Sequence, residues 1–153
     1  MEAEETSQLS VTSFKIGGEY FGFKTIRIRH ILEMVEPTKV PLAKPYVLGV
    51  INNHGSMIPV VDLRQMLGLP VEEDLPEASI VVVAVPDESG ESLLGIKVDE
   101  VDEVFDYTEE QYSKEVVVEV SRMVQSALSA TLHVGDKFIY MVSTKELAKV
   151  VEE

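Results

Sequence analysis

Three histidines, His30, His54 and His133, are the side chains in this sequence best suited to bind a metal or move a proton near neutral pH. Their spacing carries no ligand signature. There is no His-Glu-x-x-His pair, and the absence of cysteine removes thiolate ligands, thiol nucleophiles and disulfides together. No glycine-rich phosphate loop and no Gly-x-Ser-x-Gly elbow stands out. These residue types call for no metal and no cofactor. A small metal-dependent or hydrolytic enzyme on a β-barrel frame is the alternative class. A metal scan, or loss of activity in His54→Ala across a substrate panel, separates it from a binding protein. The chemistry left is recognition, and His54 lies where recognition is easiest: in the polar tetrapeptide Asn52-Asn53-His54-Gly55 between two apolar runs.

Those runs, Val47–Ile51 and Met57–Val61, predict a β-hairpin whose tight turn uses glycine for positive φ. Pro59, inside the second run, predicts an edge or a bulge. Asp62 follows as an N-cap for a short helix over Leu63–Leu67, with Gln65 at the capping-box position. Gly68 and Pro70 end that helix. The unit recurs. A shift of 81 positions carries Ile51 onto Leu132, Met57 onto Phe138, Ile58 onto Ile139 and Val61 onto Val142. The cap Asp62 falls on Ser143 and Gln65 on Glu146, so Ser-Thr-Lys-Glu is again a capping box. A shift of 73 carries Phe21–Lys24 onto Leu94–Lys97, Ile28 onto Val101, Ile31 onto Val104 and Glu36 onto Glu109. Two matches in the same order describe two similar antiparallel β half-domains.

A chain of 153 residues with a 45% apolar fraction supports a packed core without staples. Its longest apolar run, Ile80–Val85, falls far short of a membrane span. The start, MEAEETSQ, has acids where an export signal has lysines, so a cytoplasmic location is expected. Twenty-seven acids against 13 Lys and Arg leave a net charge of −14, which repels phosphate backbones and anionic headgroups. Neither nucleic acid nor membrane insertion is expected.

Met1–Gln8 reads as a disordered acidic tail, and 9–153 as one domain of two β subdomains. Leu9–Ile16 and Tyr20–Lys24 alternate as strands; Ile26–Val35 and its partner Val98–Phe105 read as extended structure with a turn. Glu36–Pro45, with three prolines, is a connector, and Pro70–Glu77 an acidic loop. Ile80–Val85 reads as a strand buried on both faces, turned by Pro86–Glu91 into Ser92–Val98. Thr108–Lys114 fits a helical turn, Val116–Val120 a strand and Ser121–Gln125 a connector. The acidic run Asp99–Glu110 reads as a solvated edge. A helix over 144–153 closes the chain, with Leu147, Val150 and Val151 on one stripe.

The segment GVINNHGSMIPVVDLR resembles the signature of the CheW family of bacterial chemotaxis coupling proteins, roughly G-V-I-N-L-R-G-x-V-I-P-V-x-D-L-R. Tyr20–Lys24, Val40-Pro41 with Tyr46-Val47, Leu94–Val104 and Val134–Leu147 are similar to further family segments, so the resemblance covers most of the chain. It implies an all-β fold with minor helix: two intertwined five-stranded SH3-like barrels on a shared core. It also implies a non-enzymatic adaptor that binds the regulatory domain of a CheA-type histidine kinase and the cytoplasmic signalling tip of chemoreceptors.

By the same likeness, partner contacts fall on Ile28, His30, Asn53, His54, Ser56, Met57 and Arg64. Met57 and Ile58 alternate, so one of them belongs to the core. The chain departs from the pattern at Asn53-His54, where the family has Leu-Arg, at His30, where it has an acid, and at Ser143, where it often has an acid. The first two alter charges that govern partner choice, which opens the reading of a diverged adaptor serving a different receptor or kinase.

Overall fold

The computed structural model describes residues 9–70, 76–116 and 125–152. The expected tail at Met1–Gln8 lies outside them, as do the centre of the acidic loop and most of the expected strand and connector between Val116 and Gln125. Eleven strands are described. The first half contributes β1 (Ser10–Ile16), β2 (Glu19–Lys24), β3 (Ile28–Glu33), β4 (Val47–Asn53) and β5 (Ser56–Asp62). The second contributes β6 (Ser79–Asp87), β7 (Gly90–Val98), β8 (Glu100–Asp106), β9 (Tyr112–Ser113), β10 (Leu128–Val134) and β11 (Lys137–Val142). Two helices, α1 (Leu63–Met66) and α2 (Thr144–Glu152), follow β5 and β11. None is long and apolar enough to cross a membrane among the described residues.

The strands form one sheet in the order β8-β1-β2-β11-β10-β9 and another in the order β3-β6-β7-β5-β4. Each sheet therefore takes its central hairpin from one half of the chain and its flanking strands from the other. The halves have exchanged their opening hairpins, which is what intertwines the two barrels. The exchange seams are the two parallel pairings, with Gly22 opposite Met141 and Gly95 opposite Val60. The shifts of 73 and 81 carry one pair onto the other. The irregularities repeat as well: Ile28 faces Val83 and Ile31 faces Val81 across one bulge, while Val101 faces Phe14 and Val104 faces Thr12 across its equivalent.

The principal core is shared between the sheets, with Phe14, Phe21 and Phe23 from one meeting Val81, Val83 and Ile96 from the other. Leu63 and Met66 of α1 and Leu147 of α2 seal it. Strand β6 is buried on both faces because Val81 and Val83 face this core, while Ile80 and Val82 face a second cluster with Ile51, Ile58 and Val60. The connector after β3 closes the five-stranded sheet: Thr38 and Val50 exchange two backbone hydrogen bonds of 2.8 Å. Gly49 permits that approach. Its φ is +142°, and a Cβ there would overlap the Thr38 carbonyl.

Four expectations need correction. One barrel has six strands, because the two-residue β9 pairs with β10 after the 3-10 turn at Glu109–Gln111. Strand β5 lies inside its sheet, and the bulge falls on β4, between Val47 and Gly49. Pro59 is tolerated there because pairing with β7 starts one residue later, at Val60. The β6–β7 turn is shorter than expected, since Pro86 and Asp87 still pair with Glu91 and Gly90. The box at α1 is incomplete. Asp62 Oδ1 accepts from Arg64 N–H at 3.0 Å, but Gln65 donates to the Asp62 carboxylate, because the Asp62 N–H is already engaged by the Tyr46 carbonyl.

Candidate partner-binding surface

The β4–β5 hairpin is built as its sequence requires. His54 and Gly55 form a two-residue turn with φ of +53° and +86°, the geometry that follows the twist of the flanking strands. The Asn52 side-chain carbonyl accepts from Gly55 N–H at 3.0 Å and rigidifies the loop. His54 and Ser56 are exposed, and Asn53 is half-buried. Alternation then separates the next pair, with Met57 62% exposed and Ile58 1% exposed.

Met57 borders a groove of about 530 Å³ between the five-stranded sheet and α2. Pro59, Leu93 and Leu94 form its sheet side, and Ala148 and Val151 its helix side. Ser56, Glu91 and Glu152 stand around it. The rim is braced by Arg29 on β3, whose Nε and Nη2 donate to the two Glu91 carboxylate oxygens at 2.9 and 2.8 Å. Those hydrogen bonds, with the fields of Arg29 and Arg27, hold the Glu91 carboxyl below its ordinary 4.5. An apolar cleft with a few polar groups on its rim has the form that receives the apolar face of an amphipathic helix.

The proposed contact residues do not all gather here. Ser56 and Met57 line the groove, with His54 and Asn53 beyond them at the hairpin tip. His30 is exposed on β3, at the far edge of the same sheet beside an exposed Ile31. Ile28 is half-buried and packs on the shared core. Arg64 is engaged internally, its Nη2 donating to Asp99 at 2.7 Å and its Nη1 to the Pro70 carbonyl at 2.8 Å. Asp99 in turn accepts from Gly17 N–H at 2.9 Å, and Asp102 accepts from Lys137 at 3.3 Å. The acidic run is therefore partly structural, in addition to forming an edge strand. His133 lies on β10 with its ring against Phe138. Arg29, Glu91 and the helix side of the groove were not singled out from sequence. The apolar stripe on α2, through Val151, was the one signal for the helix side, and none marked Arg29 or Glu91.

The architecture defines the class first: two intertwined SH3-like barrels with a terminal helix against one of them. A crystal structure of the scaffolding protein TtCheW from Thermoanaerobacter tengcongensis has the same fold, with a TM-score of 0.81 over 92% of both chains and 22% sequence identity. The CheW-like domain family matches residues 10–152, and the chain belongs to that family. Among relatives, the chemotaxis protein CheW of Thermotoga maritima is 34% identical over 71% of this chain and 69% of its own length. The chemotaxis protein CheW of Bacillus subtilis is 34% identical over 57% of this chain, and the match spans 56% of that relative.

Proposed function

We propose that this protein is a non-enzymatic adaptor that couples chemoreceptors to a CheA-type histidine kinase. The observation that carries the reading is the apolar groove between the five-stranded sheet and α2, with Met57 exposed beside it. A receptor's cytoplasmic signalling tip, presented as helices, lays its apolar face there. The kinase's regulatory domain docks on exposed edges and hairpins, in small reversible contacts where a few apolar anchors carry the energy. Ser56 and Met57 contact the helix directly, with Asn53 and His54 reaching it from the hairpin tip. His30 and His54, both exposed where the family pattern has charges, tune partner choice. Ile28 and Arg64 act from beneath, by holding β3 and α1 in place. The protein works in the cytoplasm and meets the membrane only through receptors.

Calorimetric titration with a receptor-tip fragment tests the groove. Met57→Glu weakens binding by at least about tenfold, the loss of one anchor, and leaves the unfolding midpoint unchanged. Equal affinity in the two proteins removes the groove from the interface.

A further inference from the structure

A second depression, of about 340 Å³, lies at the other end of α2 from the groove. Three cations from separate elements line it: Lys24 at the end of β2, Arg27 in the 3-10 turn before β3, and Lys145 in the first turn of α2. No acid is among its lining residues within the described part of the chain. The chain carries 27 acids against 13 Lys and Arg, and five of those cations have a carboxylate at hand among the described residues. Lys15 has Glu100, Arg29 has Glu91, Arg64 has Asp99, Lys137 has Asp102 and Lys149 has Glu146. Lys24, Arg27 and Lys145 form no ion pair among the described residues. Arg27 exerts only a longer-range pull on Glu91, which Arg29 already holds. Like charges gathered around one cavity repel, and an anionic occupant relieves that repulsion.

The cavity wall adds a donor. Thr144 is 5% exposed, its hydroxyl has no hydrogen-bond partner among the described residues, and no unpartnered side-chain polar atom is fully buried. The hydroxyl therefore keeps some solvent contact, and Thr144 is among the residues that line the depression. At the same end of α2, Ser143 Oγ accepts the Glu146 N–H at 3.2 Å, and Ser143, Thr144 and Lys145 place the positive end of the helix beside the depression they line. Pro86, Met141 and Val142 supply an apolar floor, which a lone small anion would leave uncovered.

We propose that this depression docks an acidic segment of a partner protein, with two or more carboxylates flanking one apolar side chain. The site shares no lining residue with the groove and stands whether or not the groove takes a receptor helix.

The test is amide-shift mapping on the isotope-labelled full chain with the probe peptide acetyl-Glu-Glu-Leu-Glu-Glu-amide. Its glutamine counterpart and inorganic phosphate are run at matched ionic strength. Expected are saturable shifts at Lys24, Arg27, Tyr112 and Thr144 with the acidic peptide only, weakening as salt rises. The triple variant Lys24→Gln/Arg27→Gln/Lys145→Gln, all at exposed positions, loses about tenfold in affinity. Lys39→Gln/Lys44→Gln, with two exposed cations outside the depression, binds as the parent does. Any of four results overturns the proposal: no binding, shifts confined to other faces, phosphate binding as tightly as the peptide, or equal loss in the control variant. A copy of this chain competing for the site as well as the peptide does so too, because the occupant is then itself.

Discussion

Replacing Arg64 by alanine separates two roles for a residue whose neighbourhood in sequence suggests partner contact. In the structure its guanidinium spans Asp99 and the Pro70 carbonyl, and the side chains of Arg64 and Asp99 are 12% and 18% exposed. Asp99 also accepts from Gly17 N–H, so one carboxylate joins the β1–β2 turn, α1 and the β7–β8 corner. Removing a partner from a fully buried pair costs about 3–5 kcal/mol, and exposed pairs are worth under about 1. Exposure below one fifth places Arg64→Ala between them, at about 2–3 kcal/mol. For a chain of this length that lowers Tm by about 5–10 °C. Asp99→Asn keeps an acceptor for Gly17 but loses the charge, for a loss of about 1–2 kcal/mol. In a double-mutant cycle the two couple by about 1.5–2.5 kcal/mol. Urea unfolding followed by far-ultraviolet dichroism and tyrosine fluorescence reads this directly, the chain having five tyrosines and no tryptophan. If Arg64→Ala stays within about 0.5 kcal/mol of the parent while partner affinity falls tenfold, Arg64 is a contact residue and the reasoning fails.

Three further outcomes follow from the packing. A Cβ at Gly22 would sit 2.7 Å from Val11 Cγ2, and one at Gly95 would sit 3.1 Å from Ile80 Cγ2 and Val60 Cγ2. Gly22→Ala therefore costs about 2 kcal/mol and Gly95→Ala about 1 in thermal unfolding, and the reverse order contradicts the described seams. Ile58→Ala loses about 2–4 kcal/mol of stability, whereas Met57→Ala stays within about 0.5 in the same urea assay; similar losses in both mean the strand faces are misassigned. The third outcome concerns acid. The Glu91 carboxyl is held below 4.5, chiefly by hydrogen bonds from Arg29, so its contribution is complete above that value and disappears as pH falls through the lowered one. The stability difference between the parent and Arg29→Gln is therefore present at neutral pH and shrinks on acidification. A difference that stays constant down to about pH 2 shows that the pair is not its source.

The duplication was legible because β2 and β7 keep Phe-Gly-Phe-Lys and Leu-Gly-Ile-Lys, and because Asp62 and Ser143 cap equivalent helices. The exchange between halves was not legible from the residues themselves. Alternation along β1 is the same whether its neighbour is β3 or β8, and only the family likeness implied intertwining. Pro59 misled for a related reason: a proline marks a missing donor, and the strand to which that donor would point begins pairing only at Val60. On the candidate surface, the hairpin turn and the split between Met57 and Ile58 came from local pattern. Arg29 and Glu91 stand far apart in sequence and meet only once β3 and β7 flank β6. The three cations at the second depression come from three separate elements, and nothing in their spacing announces the convergence.

The central claim is that this protein holds receptor and kinase together, and simultaneous binding tests it most directly. Sedimentation velocity on the protein saturated with a receptor-tip fragment, followed by addition of the regulatory domain of a CheA-type kinase, distinguishes the outcomes. The account predicts a ternary boundary heavier than either binary complex. It also predicts that Met57→Glu removes the receptor fragment from that boundary while keeping the kinase domain. Displacement of one partner by the other, or binding of neither by the folded protein, contradicts it.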